Sequence, residues 1–143
     1  PAILKNKVWH IRKKIDVLSM KKGSNFLIGS HDFTSFRSIS CQASSANKTI
    51  DKISFDIIDD IIEMRIEAKS FLQNQVRIIA GSLIKVGTNF WKPEMMKKIL
   101  EAKSRNEAGE TAPPYGLYLE KINYPKNLLK EKWDSHFEIK EKF

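Results

Sequence analysis

In this chain of 143 residues, the side chain whose setting most invites chemistry is Arg77. It lies within Phe71-Leu-Gln-Asn-Gln-Val-Arg-Ile-Ile-Ala-Gly-Ser-Leu-Ile-Lys-Val-Gly87, the longest run with a clean helical period. Leu72, Val76, Ile79, Ala80, Leu83 and Val86 share one side of a 3.6-residue wheel, as a helix laid on a core requires. Gly87 stands where a left-handed C-cap residue is wanted. Arg77 falls at the border of the apolar face, one turn before Gly81, so its guanidinium runs along a flank without a bulky neighbour. Two readings fit. A border arginine can snorkel to water, or it can be a fixed cation at the rim of a cleft, suited to a carboxylate or a phosphate.

Other polar groups invite chemistry less directly. His31 beside Asp32 suggests an acid–base pair, but an Asp ahead of an apolar turn ordinarily caps backbone N–H groups, and the cap is the reading adopted. Lys5, Lys7, Arg12, Lys13 and Lys14 surround Trp9 and His10. That is either a nucleic-acid patch or a solvated basic edge strand. The net charge of +8 is uneven. Residues 1–50 hold nine basic and two acidic side chains, 51–67 two and six, and 68–143 fourteen and nine. A basic surface with an acidic island suits a polyanion approached from one side.

Several chemistries find no template. The chain has no P-loop, no Gly-x-Gly-x-x-Gly, no His-Glu-x-x-His and no Gly-x-Ser-x-Gly. Cys41 is the single cysteine, so no intrachain disulfide forms, and with three scattered histidines a structural zinc site is not expected. Hydrophobic content of 41% and charged content of 29% fit an ordinary globular domain. No apolar run has the length of a membrane span, and a cytoplasmic location is the expectation.

The elements that must position Arg77 follow from patterning. A short strand is expected around Val8–Ile11. Asp16 is a good N-cap, with Ile15 as a staple, for a helix over Asp16–Ile28 that Gly29 ends. Phe33 and Phe36 are expected to plug a tight turn into the core. Ile53, Phe55 and Ile57, then Ile62, Met64 and Ile66, alternate with polar residues around Asp59-Asp60, which predicts a hairpin with one buried and one acidic face. Pro93 opens a short helix ending near Ala102. Ser104–Pro114 reads as a loop, and Tyr115–Tyr124 as a final strand closed by Pro125. The charged tail over 126–143 shows no strong period and is expected as a peripheral helix or a partly disordered segment. Strand, helix, hairpin, helix, helix, strand is an α+β order: a mostly antiparallel sheet with helices packed on one face.

Four segments in fixed order then become recognisable: His31-Asp-Phe-Thr-Ser-Phe-Arg37, Phe71-Leu-Gln-Asn-Gln-Val-Arg-Ile-Ile-Ala-Gly81, Thr111-Ala-Pro, and Gly116-Leu-Tyr-Leu119. Together they resemble the C-terminal half of the bacterial tRNA pseudouridine synthase A family, over nearly the whole chain to Tyr124–Pro125. The resemblance implies one half of a two-domain α+β enzyme, a homodimer, that isomerises uridine to pseudouridine in the anticodon stem-loop of tRNA without cofactor or metal. The family's catalytic aspartate sits in an Arg-Thr-Asp-x-Gly-Val-His segment of the other half. No Arg-Thr-Asp occurs here, so residues 1–125 are expected to be a C-terminal domain that is inactive alone.

What the resemblance implies for residues is specific. Arg77 matches the arginine that pairs with the catalytic aspartate. Leu117 matches an apolar residue lining the base pocket, although a core strand leucine remains an alternative reading. Apart from the resemblance, and on their charge alone, Lys13, Lys14 and Arg37 are the expected RNA contacts. Phe33, Phe36 and Gly81 match architectural positions. At Gln73-Asn74-Gln75 the chain departs from the histidine and methionine common there. Two other classes stay open: a non-catalytic basic RNA-binding module, and a domain whose exposed sheet edge and helix mediate self-association.

Overall fold

The computed structural model describes residues 9–123 and 131–141. Lys5, Lys7 and Val8, and the closure at Tyr124–Pro125, lie outside them. The first strand, β1 (Trp9–Ile11), leads into α1 (Val17–Asn25). The helix starts as patterning predicts: Asp16 accepts the Ser19 N–H at 3.2 Å and the Ser19 hydroxyl at 2.8 Å. The hydroxyl bond, then the N–H, holds the Asp16 carboxyl below its ordinary pKa. The helix ends at Asn25, short of the expected Ile28. The reason is tertiary. Gly29 takes φ +100 and opens β2 (Gly29–Asp32), whose four residues pair antiparallel with Ile50 back to Asn47. The tight turn follows only at Thr34–Phe36, and it buries Phe33 and Phe36 completely. Each ring stabilises the fold by roughly 2–3 kcal/mol relative to exposure.

The hairpin is β3 (Asn47–Ile58) and β4 (Ile61–Ala68), joined by Asp59-Asp60 with Asp59 left-handed at φ 55. Ile50, Phe55, Ile62, Met64 and Ile66 are buried and Asp56 and Arg65 are exposed, but of the alternating isoleucines of β3 Ile53 is only partly buried and Ile57, near the turn, is 63% exposed. One face of the hairpin is core and the other is wet.

The central helix, α2 (Gln75–Gly87), begins four residues later than its period suggests. Asn74 interrupts it with φ 62, and the Leu72 N–H is satisfied by Gln75 Oε1 at 2.8 Å instead of by a helical carbonyl. Apolar residues then cover nearly every side, and only Arg77 and Lys85 are half-exposed. A helix apolar all round belongs inside, so α2 is the middle of the domain and not a helix laid on its surface. Gly87 is not its left-handed cap; Asn89 takes that role at φ 63. Gly87 serves close packing, because a Cβ there would stand 2.8 Å from Met20 Sδ where α1 crosses.

After α3 (Met95–Ala102), with Met96, Ile99 and Leu100 buried, the chain loops to β5 (Leu117–Asn123). The segment expected as a peripheral helix or a partly disordered tail instead contains the strand β6 (Glu131–Glu141). Trp133, Ser135, Phe137 and Ile139 alternate there with charged residues or His136, a period-2 pattern the charges obscured. This strand pairs with three others. Strand order is β1-β6-β4-β3-β2, with β5 also on β6. One edge of β6 carries β4; the other carries β5 over Glu131–Phe137 and then β1 over Ile139–Glu141. All pairs are antiparallel except β1 with β6. The architecture is α+β with a mostly antiparallel sheet.

Candidate functional site

Arg77 occupies the first full turn of α2, just past the left-handed Asn74. Its side chain is half-buried and does not simply extend to water. Nε donates to the Ala112 carbonyl at 2.7 Å, and Nη1 donates to Asn74 Oδ1 at 3.1 Å. Two points fix the plane of a guanidinium. Among the described residues no carboxylate pairs with it, so its charge is held in place by neutral acceptors.

The Ala112 contact depends on how closely the loop between α3 and β5 approaches the helix. Ala112 N–H donates back to the Arg77 carbonyl at 3.0 Å, and Gly109 N–H donates to Ser82 Oγ at 2.9 Å. Arg105 braces the loop from within, reaching the Gly109 carbonyl at 2.8 Å and Thr111 Oγ1 at 3.1 Å. Between these tethers the backbone of Glu110 passes over Gly81. A Cβ at residue 81 would lie 1.7 Å from the Glu110 carbonyl oxygen, so only glycine admits the crossing. The architectural role expected for Gly81 thus has a specific content: it lets the loop reach Arg77.

Leu117, at the first position of β5, is half-buried against the core. It shares a hollow of ≈ 240 Å³ with Phe71, Leu72, Asn74, Gln75, Val76 and Arg77. That is room for about eight waters by bulk volume, the scale of one small ring. The two residues singled out from the sequence, 40 positions apart in the chain, therefore meet. The arrangement presents a guanidinium at the rim of an apolar hollow, and it can bind an anionic oxygen while a planar group packs on Leu117 and Phe71.

The expected RNA contacts do not converge on this point. Arg37 is near the start of α2: its Nη1 donates to the Ala43 carbonyl at 3.3 Å, and the next residue, Ser38, donates its N–H to the Gln73 carbonyl at 3.1 Å. Lys13 and Lys14 are exposed at the other end. Asp16 N–H bonds the Gly87 carbonyl at 2.7 Å, and Lys14 lines a separate hollow of ≈ 450 Å³ with Ile57 and Asn89. Along α2 (Gln75–Gly87) the helix rises about 15 Å from Arg77 to Gly87, which separates these lysines from Arg77.

His31 and Asp32 do not pair. His31 Nε2 bonds the Ile28 carbonyl at 2.9 Å and its ring meets Phe33 edge-on. Asp32 Oδ1 accepts the Thr34 hydroxyl and its N–H, the cap that patterning predicts. The hydroxyl bond is the larger cause of a lowered Asp32 pKa, and Lys103 and Arg37 add to it. What sequence reasoning missed is Asn74 and Phe71. Asn74 counted only as flank polarity, yet an Asn three residues before an Arg, at a helix start, is a local signal for a side-chain bond.

Comparison with known proteins places the chain in a family. The sequence profile of the family described as tRNA pseudouridine synthase matches residues 25–125. The tRNA pseudouridine synthase A of Gluconobacter oxydans is 44% identical over 125 residues, 87% of this chain and 46% of that protein. Those of Brucella ovis and Brucella anthropi are 43% and 44% identical over 123 residues, 86% of this chain and 49% of theirs. The chain spans about half the length of the curated relatives it matches.

Proposed function

The chain belongs to the tRNA pseudouridine synthase family, and on that premise we propose that it supplies one half of an enzyme that isomerises uridine to pseudouridine in the anticodon stem-loop of tRNA. The reaction breaks the bond from N1 to ribose C1′ and joins C5 to C1′, while C5 gives up its proton and N1 takes one. Atoms balance without a co-reactant. The base must leave its stack to be turned, and a small apolar hollow receives a flipped base.

Arg77 has two tasks in this reading. A carboxylate entering an apolar pocket is driven toward its neutral form, and an adjacent guanidinium reverses that shift and keeps it ionised. The planar fork also aims the carboxylate. The aspartate comes from the other half of the enzyme, so this chain alone is inactive. Leu117 packs against the uracil. Lys13, Lys14 and Arg37 meet tRNA phosphates, with Lys13 and Lys14 serving RNA well away from the target base. The working protein is a cytoplasmic homodimer.

The observation that carries the proposal is the fixed Arg77 guanidinium beside Leu117 in one hollow. Its test is Arg77→Ala and Arg77→Lys in the full-length protein. A merely structural arginine loses on the order of 1 kcal/mol of stability, with turnover following the folded fraction. An ion-pair partner gives folded protein whose turnover collapses. Arg77→Lys then binds tRNA almost normally and turns over far more slowly, because an ammonium keeps the charge without the fork. Near wild-type turnover in folded Arg77→Ala refutes the assignment. Turnover by the pure 143-residue chain would refute the division of labour.

A further inference from the structure

Asn74 is unusual in three ways at once. It is a non-glycine residue with left-handed backbone, φ 62 and ψ 10, directly before α2. Its side chain does not cap the helix; its Oδ1 accepts Arg77 Nη1 at 3.1 Å. It also lines the hollow that holds Arg77 and Leu117. Left-handed backbone disfavours most side chains, with asparagine among the best tolerated. Strain kept at a site edge is a reason to look for function.

We propose that Asn74 is the positioning residue for Arg77, fixing the guanidinium plane so that its remaining edge faces the hollow shared with Leu117. This rests on the reading of Arg77 as partner of a carboxylate from the other half of the enzyme. The bond from Nε to Ala112 is one point of attachment, about which the group still rocks. Asn74 Oδ1 is the second, and two points define the plane. The amide is also neutral. It satisfies Nη1 without cancelling the positive charge that an incoming carboxylate needs. An aspartate at the same place would keep the acceptor and the size, but would pair with Arg77 itself and compete for it.

Asn74→Gly and Asn74→Asp in the full-length protein separate these effects. Glycine accepts the left-handed backbone and removes the acceptor. Aspartate keeps the acceptor and adds the charge. For Asn74→Gly the expected result is a KM for tRNA within about twofold of wild type and a kcat lower by about 10- to 100-fold, the scale of a misaimed group. Asn74→Asp should be slower still, although it is the closer replacement in shape. A residue that only supported the turn would give the reverse order, with turnover following melting temperature. Should the glycine variant melt early, the aspartate variant carries the test. Wild-type kcat in either folded variant, or a faster Asp than Gly variant, overturns the inference. Arg77→Ala in the same protein tells the two ideas apart. Collapse there with intact Asn74 variants sinks only the positioning role, and turnover retained there sinks the parent reading too.

Discussion

Arg77 and Ala112 hold each other in both directions: Arg77 Nε donates to the Ala112 carbonyl at 2.7 Å, and Ala112 N–H donates to the Arg77 carbonyl at 3.0 Å. The loop and the helix are therefore one unit. The loop does not merely connect α3 to β5; it supplies the acceptor that aims a helical side chain. Whatever lifts the loop releases the guanidinium.

Gly81→Ala is the direct test of that unit. The added Cβ would meet the Glu110 carbonyl oxygen at 1.7 Å, a clash with backbone that no rotamer change relieves. The loop must lift, and the Ala112 and Gly109 bonds go with it. Urea unfolding should show a loss of about 3 kcal/mol, the upper end of ordinary overpacking. A variant as stable as wild type would mean that the loop is not fastened at this crossing.

Asp32 makes stability depend on acid. Its pKa is lowered, chiefly by the Thr34 hydroxyl, so folding binds fewer protons than unfolding near that pH. The stabilisation is complete above the ordinary carboxylate value of 3.8 and is lost as pH falls through the lower folded value. Asp32→Ala should cost on the order of 1 kcal/mol at neutral pH, as loss of a cap does. The gap from wild type should narrow below that value. A gap constant from pH 7 to the acid limit would show that the carboxylate charge contributes nothing.

RNA binding tests where the polyanion lies. Charge reversal at Lys13 and Lys14 should weaken tRNA binding and lower its salt dependence by about one unit of slope per cation. The same change at Lys52, exposed on the acidic hairpin, should matter less, since that face repels RNA. Equal losses at both places would put the RNA on the wrong side of the sheet.

Much of this was legible in the sequence, for reasons that differ from residue to residue. The Asp16 cap, the Asp32 cap and the Asp59-Asp60 hairpin are short-range chemistry, decided within a few residues, and they stand as the patterns predict. The meeting of Arg77 with Leu117 is long-range. No periodicity places it; the family resemblance singled out both residues, and the structure sets them around one hollow. β2 was hidden because its four polar residues are extended only by pairing with β3. β6 was hidden because charges flank every apolar position of its alternation. Gly87 was misassigned because a glycine at a helix end looks the same whether it frees the backbone or admits a neighbour.

The place of β6 in the sheet bears on how the molecule comes into being on the ribosome. β2, β3 and β4 are consecutive strands, β3 and β4 joined by the Asp59-Asp60 turn and β2 and β3 by residues 33–46. Among the described strands β1 and β5 pair only with β6, so Trp9 must wait for Ile139. Contacts so distant in sequence slow folding, because the loop they close is paid for before they form. The nascent domain therefore exposes the free edge of β4 until its last described strand emerges. Synthesis stalled before Glu131 would leave that edge open to pairing with other chains, a hazard of unpaired strands in growing polypeptides.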